Sequence, residues 1–151
     1  MDSQQSVSLS EDELEMFLGT GGTGTLAFGT DRSEPPYAIP VSYGFDSETR
    51  QFFFRLAHAP RSDELPSKPT QNPVTFVTFS ETPTGWHSAI ASGTLTGISE
   101  PAVDDVAAEA LRRIHIPLVD IYDHPTKEVE FAFFRLDPET LSGRKEAHVD
   151  D

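Results

Sequence analysis

The stretch that decides the fold is Tyr37-Ala38-Ile39-Pro40-Val41-Ser42-Tyr43-Gly44-Phe45, in which large apolar residues alternate with small or polar ones. A period of two is typical of a strand that turns one face to a core. Pro40 stands within this strand, and proline has no N–H to donate to a ladder. It therefore marks an edge, a bulge or a place where the backbone faces a ligand.

Five further segments carry strand patterns, and most of the connections between them are short turns rich in Gly, Pro, Asp, Ser and Thr. They are residues 25–30, 51–56, 74–79, 86–99 and 129–136. The first three connections are too short for parallel crossovers. A mainly β fold is predicted, a small six-stranded antiparallel barrel with flanking helices.

Two segments carry helix signals. Ser10 and Glu13 form a capping box ahead of an apolar stripe that includes Leu14, and Gly19 is a natural C′ residue. Residues 102–115 are helical by composition. We therefore expect one helix at the N-terminus and one before the last strand.

Length and composition bound the remaining possibilities. The chain has 151 residues and no cysteine, which predicts one domain and excludes disulfides, thiolate metal sites and cysteine nucleophiles. We expect a flexible segment over residues 1–9, a domain over 10–145 and an acidic tail over 146–151. Residues 1–10 carry no basic and apolar signal pattern, which predicts a cytoplasmic protein.

The charge is strongly negative and scattered. The 25 Asp and Glu against 11 Lys and Arg give a formal net charge of −14. Such a field repels nucleic acid and anionic membranes, so neither is an expected partner. The excess of carboxylates resembles that of halophilic proteins, and an acidic mesophilic protein is the alternative.

Two further patterns in the sequence have simpler explanations than a nucleotide site or a metal site. Gly19, Gly21 and Gly24 match a dinucleotide fingerprint, but a helix precedes them where a strand is required, so we interpret them as a flexible lead into the first strand. His115 and His124 lie near two aspartates, but prolines break that segment, so we expect a solvated loop and no metal site.

A small group of basic residues follows the aromatic third strand. Arg55 ends that strand, and Arg61, Ser62 and Lys68 lie in the proline-containing loop after it. Cations and a hydroxyl near one strand end suit a phosphate group. Ion pairs with the neighbouring carboxylates of the loop explain them equally well, and composition leaves both alternatives open.

The order of these pieces resembles the pyridoxamine 5′-phosphate oxidase-like family of FMN-binding split barrels, above all its nitroimidazole-resistance-like and haloarchaeal members. The resemblance covers roughly residues 10–143 and depends on order and spacing. The segments that carry it are Gly24-Thr25-Leu26-Ala27-Phe28, Pro36 to Tyr43, Phe52-Phe53-Phe54-Arg55, Asn72-Pro73-Val74, Gly85-Trp86-His87-Ser88 and the late strand Leu141-Ser142-Gly143-Arg144-Lys145.

The resemblance implies a Greek-key split barrel that forms a homodimer, with FMN at the subunit interface. The residues it assigns to the cofactor are Ile39, Pro40, Val41 and Tyr43 along the flavin ring, Phe54, Arg55, Arg61, Ser62 and Lys68 near the phosphate, and Trp86 and Ser88 at the interface. The adjacent Arg-Lys pair of the family would fall at Glu64 and Leu65, so Arg61 and Lys68 lie on either side of that place.

The implied function is a flavin-dependent oxidoreductase acting on a small molecule, other than the pyridoxamine phosphate oxidase itself. The catalytic residues are not identified. One alternative is a non-catalytic dimer that has lost FMN, or that stores or senses a flavin-like ligand. A haem-binding or deazaflavin-binding relative is a further alternative.

Overall fold

The computed structural model describes residues 6–30, 34–58, 70, 72–98, 105–116 and 130–147. Its elements are β1 (Ser6–Ser8), α1 (Glu11–Leu18), β2 (Gly21–Phe28), β3 (Tyr37–Asp46), β4 (Gln51–His58), β5 (Pro73–Thr82), β6 (Gly85–Ile98), α2 (Asp105–Arg113), β7 (Glu130–Leu136) and β8 (Thr140–Glu146). The strand pairings in these ranges are antiparallel, which confirms the mainly β prediction. Across the same ranges, no helix has the length and apolar character to cross a membrane.

Six strands close into a ring, and these are the six strands that the sequence predicted. The ring runs β6-β5-β2-β3-β4-β7 and is closed by the pairing of β7 with β6. Two strands were not predicted as separate elements: β8 pairs with β6 outside the ring, and β1 pairs with β8. The sheet thus has eight strands, and α2 precedes the second-to-last strand because β8 follows β7.

The split in the barrel lies along one edge of β6. That edge pairs with β8 from His87 to Ser92 and with β7 from Leu95 to Ile98. Gly93 lies at the changeover, where an added Cβ would come within 3.0 Å of the Leu136 side chain. The close approach of β7 therefore depends on a residue without a side chain at this point.

The core inside the ring is aromatic. Phe52, Phe54 and Phe76 are fully buried there, with the rings of Phe54 and Phe76 meeting edge-on at 5.1 Å. Each such side chain contributes about 1.5 to 3 kcal/mol by burial. This cluster accounts for much of the stability of the barrel.

The N-terminal helix forms as predicted. The Ser10 side chain accepts a hydrogen bond from the Glu13 N–H, and the Glu13 carboxylate accepts one from the Ser10 N–H. Leu14 and Leu18 are buried, and Gly19 ends the helix at a φ of 59°. The helix therefore lies with its apolar stripe against the barrel.

The C-terminal end of α2 and the residues just after it pack against the outer face of β2 and β3, where Gly21 and Gly44 leave room for them. A Cβ at Gly21 would lie 1.7 Å from the His115 carbonyl oxygen, and one at Gly44 would lie 2.5 Å from the Ile114 side chain. Gly21 and Gly44 face each other in the β2–β3 ladder. The interpretation of the glycines as a flexible lead-in was wrong, because β2 already begins at Gly21 and needs the missing side chains to let the end of α2 approach.

An ion pair ties the end of α2 to the β3–β4 turn. Asp46 is only 2% exposed, and the Arg113 guanidinium donates to both of its carboxylate oxygens at 2.8 and 2.9 Å. The Thr49 hydroxyl and N–H donate to the same carboxylate. These donors lower the pKa of Asp46 to about 2, because they stabilise the ionised form.

Candidate functional site

The candidate site is an opening where β3 and β4 diverge. The two strands pair only from Tyr43 opposite Phe54 to Asp46 opposite Gln51. Residues 37–42 pair with β2, and residues 55–58 pair with β7. We call residues 37–42 and 55–58 the β3–β4 fork. In the described part of the chain no strand pairs with the inner edge of the fork.

The β3 side of the fork presents backbone and small side chains. Pro40 is exposed on the outer face, while Ile39 and Val41 turn inward, Val41 being buried in the core and Ile39 packing against it. Ser42 is on the same outer face as Pro40 and is buried. The free edge expected from Pro40 is therefore present, and it leaves backbone groups of β3 available to a ligand.

The β4 side of the fork carries Arg55. This residue is half-buried on the outer face, opposite Phe133 of β7, and its Nε atom is shielded from solvent. Burial lowers the pKa of the guanidinium because it disfavours the charged form. A partly desolvated cation at the mouth of a cleft is well suited to an anionic group, which stabilises its charge.

The closed end of the fork is part of the core. The Tyr43 hydroxyl donates to the Leu18 carbonyl oxygen at 3.0 Å, and burial raises the pKa of Tyr43 to about 12. Phe54, directly opposite, is fully buried. Both side chains thus fix where the fork closes, and neither is exposed to a ligand in the opening.

The predicted interface residues Trp86 and Ser88 lie elsewhere on the outer face. A row of paired residues runs across four strands from Pro40 through Thr25 and Val77 to Ile90. Ser88 lies two residues from Ile90 along β6, on the same face. With neighbouring strands about 4.8 Å apart, β6 lies roughly 14 Å from β3 across this face. One copy of the chain does not bring Trp86 or Ser88 into the fork.

Three predicted phosphate ligands lie outside the described residues: Arg61, Ser62 and Lys68. His124, one of the two histidines near the aspartates, also lies outside them. His115 is described and exposed. Among the residues that the structure covers, no cluster of three or more His, Asp or Glu side chains could hold a metal ion.

Sequence reasoning missed two residues of the outer face. Ser42 follows Pro40 at the spacing of two that puts both on one face, so the alternation could have identified it. Arg144 of β8 lies directly opposite Ser88 of β6. Nothing local in the sequence signals that pairing, because β6 and β8 lie far apart in the chain and meet only in the folded sheet.

Known proteins resemble this chain over nearly its whole length. A family model described as pyridoxamine 5′-phosphate oxidase matches residues 10–145. No curated protein matches.

Several solved structures share the fold. The FAD binding protein from Mycobacterium smegmatis is 20% identical with a TM-score of 0.66, over 94% of this chain and 100% of that one. A FAD-binding protein from Mesorhizobium loti is 17% identical with a TM-score of 0.64, over 96% of this chain and 99% of that one. A putative 5-nitroimidazole antibiotic resistance protein from Bacteroides thetaiotaomicron is 13% identical with a TM-score of 0.57, over 93% and 87%.

The fold and the family match agree. The six-stranded ring with its split edge along β6 is the architecture that the resemblance implied, and the family match spans both helices and the strands from β2 to β7 in full. This chain belongs to the pyridoxamine 5′-phosphate oxidase family.

Proposed function

We propose that this protein is a homodimer that binds FMN in the β3–β4 fork and acts as a flavin-dependent oxidoreductase on a small molecule. The observation that carries the proposal is the fork itself, where a free backbone edge and a half-buried arginine flank one opening. A flavin offers a matching pair of features, a flat ring edged with hydrogen-bonding groups and a phosphate.

The residues present fit such a group. Backbone groups of residues 39–41 would meet the edge of the ring, and the exposed Pro40 leaves the outer side of the strand clear. The Arg55 guanidinium would hold the phosphate, and Arg61, Ser62 and Lys68 would complete its ligands. Charged hydrogen bonds of this kind contribute about 1.5 to 3 kcal/mol each.

The positions of the remaining predicted ligands support a dimer. Although β7 joins β4 to β6, the β6 residue in the row of Arg55 and Phe133 is Ile98. Ser88 lies ten residues from Ile98 along β6, roughly 33 Å at 3.3 Å a residue. A flavin held in the fork would therefore meet Trp86 and Ser88 through a second copy of the chain. A two-fold arrangement then makes two equivalent sites.

The cofactor would supply the electron transfer, and the protein would supply binding and orientation. The described fork has no carboxylate or thiol in its sequence. Its side chains would position the ring, exclude water and neutralise the phosphate. Structural relatives named as FAD-binding support a flavin as the ligand and make FAD the comparison for any test of FMN.

Titration of the purified protein with FMN and with FAD tests the site. We expect Arg55→Ala to weaken FMN binding tenfold or more, since one charged hydrogen bond is lost. Arg61→Ala and Lys68→Ala should weaken it as well. Arg112→Ala, which removes an exposed arginine of α2, is the matched control and should leave binding unchanged. Equal affinities for the Arg55 and Arg112 variants would show that the phosphate is held elsewhere.

Turnover separates the enzyme from the non-catalytic alternative. The FMN complex, reduced with dithionite, should be reoxidised anaerobically by a small quinone such as menadione, faster than free reduced FMN at the same concentration. Reoxidation no faster than that of free FMN would favour a flavin store or sensor. Failure of the wild type to bind any flavin would favour the dimer without cofactor.

A further inference from the structure

The backbone of β3 turns its polar groups alternately to its two sides, and one hydrogen bond shows which residues face which side. The Phe45 N–H donates to the Thr20 carbonyl oxygen at 3.1 Å, so Phe45 faces β2. In an antiparallel ladder every second residue exchanges its hydrogen bonds with the same neighbouring strand. The odd-numbered residues of β3 therefore face β2, and residues 38, 40 and 42 face the opening of the β3–β4 fork.

The other edge of β2 gives an independent check. The Gly29 N–H donates to the Pro73 carbonyl oxygen at 2.8 Å, so the odd-numbered residues of β2 face β5. The even-numbered residues of β2 must then face β3, and their partners are the odd-numbered residues of β3, as in Leu26 opposite Ile39. Both hydrogen bonds thus assign the same three residues to the fork: Ala38, Pro40 and Ser42.

The edge of the fork consequently has an uneven set of hydrogen-bonding groups. Ala38 and Ser42 each offer an N–H and a carbonyl oxygen, whereas Pro40 between them offers a carbonyl oxygen alone. The two N–H groups lie four residues apart, roughly 13 Å at 3.3 Å a residue. No described strand pairs with this side of residues 38–42. The centre of the edge can therefore accept a hydrogen bond and cannot donate one.

The proline is not required for the pairing of β3 with β2. Pro40 lies opposite Thr25, in a pair that exchanges no hydrogen bonds because Thr25 faces β5 and Pro40 faces the fork. A residue with an N–H could therefore occupy this position without a change in the ladder. Proline at a free edge also prevents pairing with a further strand, but that role does not depend on the state of a ligand.

A flavin changes its hydrogen-bonding character at one ring atom when it is reduced. N5 of oxidised FMN is a hydrogen-bond acceptor. Two-electron reduction by an external donor adds a hydrogen at N5, which then becomes a hydrogen-bond donor. A carbonyl oxygen that faces N5 therefore binds the reduced form better, whereas an N–H at the same place binds the oxidised form better.

We propose that Pro40 makes the fork selective for reduced flavin, because it sets a carbonyl oxygen without a neighbouring N–H against N5 of the ring. This role rests on the proposed function, since it concerns the flavin placed in the fork. Of residues 39–41, which would meet the edge of the ring, only Pro40 turns a backbone polar group into the fork. Tighter binding of the reduced form raises the midpoint potential of the bound cofactor.

Titration with oxidised FMN and, anaerobically, with dithionite-reduced FMN measures the selectivity. We expect the wild type to bind reduced FMN at least tenfold more tightly, which raises the midpoint potential of the two-electron couple by about 30 mV or more relative to free FMN. Pro40→Ala supplies an N–H at the centre of the edge. It should tighten the binding of oxidised FMN and lower the ratio of the two affinities about tenfold, which lowers the midpoint potential by about 30 mV.

Two controls separate the hydrogen bond from a change in the backbone. Pro73→Ala replaces another exposed proline of the sheet, whose backbone faces β2, and should leave the ratio of affinities unchanged. In 5-deaza-FMN a C–H replaces N5, so Pro40→Ala should leave the affinity for its oxidised form unchanged. Thermal melts establish that both variants are folded, and the preference of the wild type for reduced FMN is measured without any variant.

The selectivity is refuted if the wild type binds both states of FMN equally, if Pro40→Ala keeps the wild-type ratio, or if 5-deaza-FMN responds to the substitution as FMN does. Larger oligomers of Pro40→Ala with an unchanged ratio would assign the proline to protection of the free edge instead. Equal binding of both states would leave the flavin site of the proposed function standing. Absence of binding in either state would remove the proposed function and the selectivity together.

Discussion

The two halves of β3 differ in what holds them. The C-terminal half, from Tyr43 to Asp46, pairs with β4 throughout and with β2 at Tyr43 and Gly44, and its residues are buried. The N-terminal half pairs with β2 alone and exposes Pro40. One strand thus contributes its stability at one end and an accessible edge at the other. We call the C-terminal half of β3, Tyr43 to Asp46, the closed half, and we infer that it anchors the β3–β4 fork. Changes at the closed half should therefore alter the free energy of unfolding much more than ligand affinity.

The largest effect is expected when the Asp46–Arg113 pair is broken. Arg113→Ala leaves a nearly fully buried carboxylate without its main partner, and should lower the free energy of unfolding by about 3 kcal/mol. The neighbouring Arg112 is exposed, so Arg112→Ala should change it by less than about 0.5 kcal/mol. Denaturant unfolding measures both. If the two variants are equally stable, the ion pair does not anchor the closed half.

A second change acts through packing at Gly21 of β2, which lies opposite Gly44 of the closed half. Gly21→Ala would place a methyl group against the His115 carbonyl, a backbone atom that cannot move without shifting the end of α2. We expect a loss of about 2 kcal/mol, typical of overpacking. Gly97→Ala is the matched control, because the nearest atom would lie 3.9 Å away. Thermal melts of the two variants would contradict this account if their midpoints agree.

The same ion pair predicts a pH dependence. The donors around Asp46, of which Arg113 is the strongest and Thr49 the next, lower its pKa from 3.8 to about 2, so the stabilisation by the ionised carboxylate is present above about pH 4 and is lost as the pH falls toward 2. Wild type and Arg113→Ala should therefore differ most above pH 4. We expect the gap to shrink by about 2 kcal/mol between pH 4 and 2. A gap that stays constant over that range would contradict the assignment.

The smallest expected effect concerns salt. Ion pairs at the surface such as Arg50 with Glu15, whose side chains are half-buried, are screened by salt more than the fully buried Asp46 carboxylate. Repulsion among the 25 Asp and Glu is also screened, and we expect this term to dominate. The melting midpoint should therefore rise by several degrees from low to molar KCl in both wild type and Arg113→Ala. Equal midpoints at the two salt concentrations would remove the halophile interpretation.

The parts of the fold with local signals were predictable. The capping box at Ser10 and Glu13 and the alternation from Tyr37 to Phe45 identify α1 and β3 because their causes lie within a few residues. The six predicted strands are those of the ring. β1 was missed because it has only three residues, and β8 was indicated by the resemblance alone, because its sequence does not alternate clearly.

The candidate site was predictable only in part. Pro40 indicated the free edge of β3, because the missing N–H is a property of the residue itself. The partners of Asp46 and Ser88 were not predictable, since Arg113 is 67 positions away from the first and Arg144 meets the second only through the pairing of β6 with β8. The placement of α2 over Gly44 is equally non-local.

The central claim is that one flavin is held between the β3–β4 fork of one copy and Trp86 and Ser88 of another. Complementation between two variants tests this claim most directly. Arg55→Ala and Trp86→Ala are each expected to weaken FMN binding on their own. In a mixed dimer, one site would carry both changes and the other would be intact. Co-refolding equal amounts should restore wild-type affinity at about a quarter of all sites. A mixture that binds FMN no better than the separate variants, or a Trp86→Ala protein with wild-type affinity, would contradict the claim.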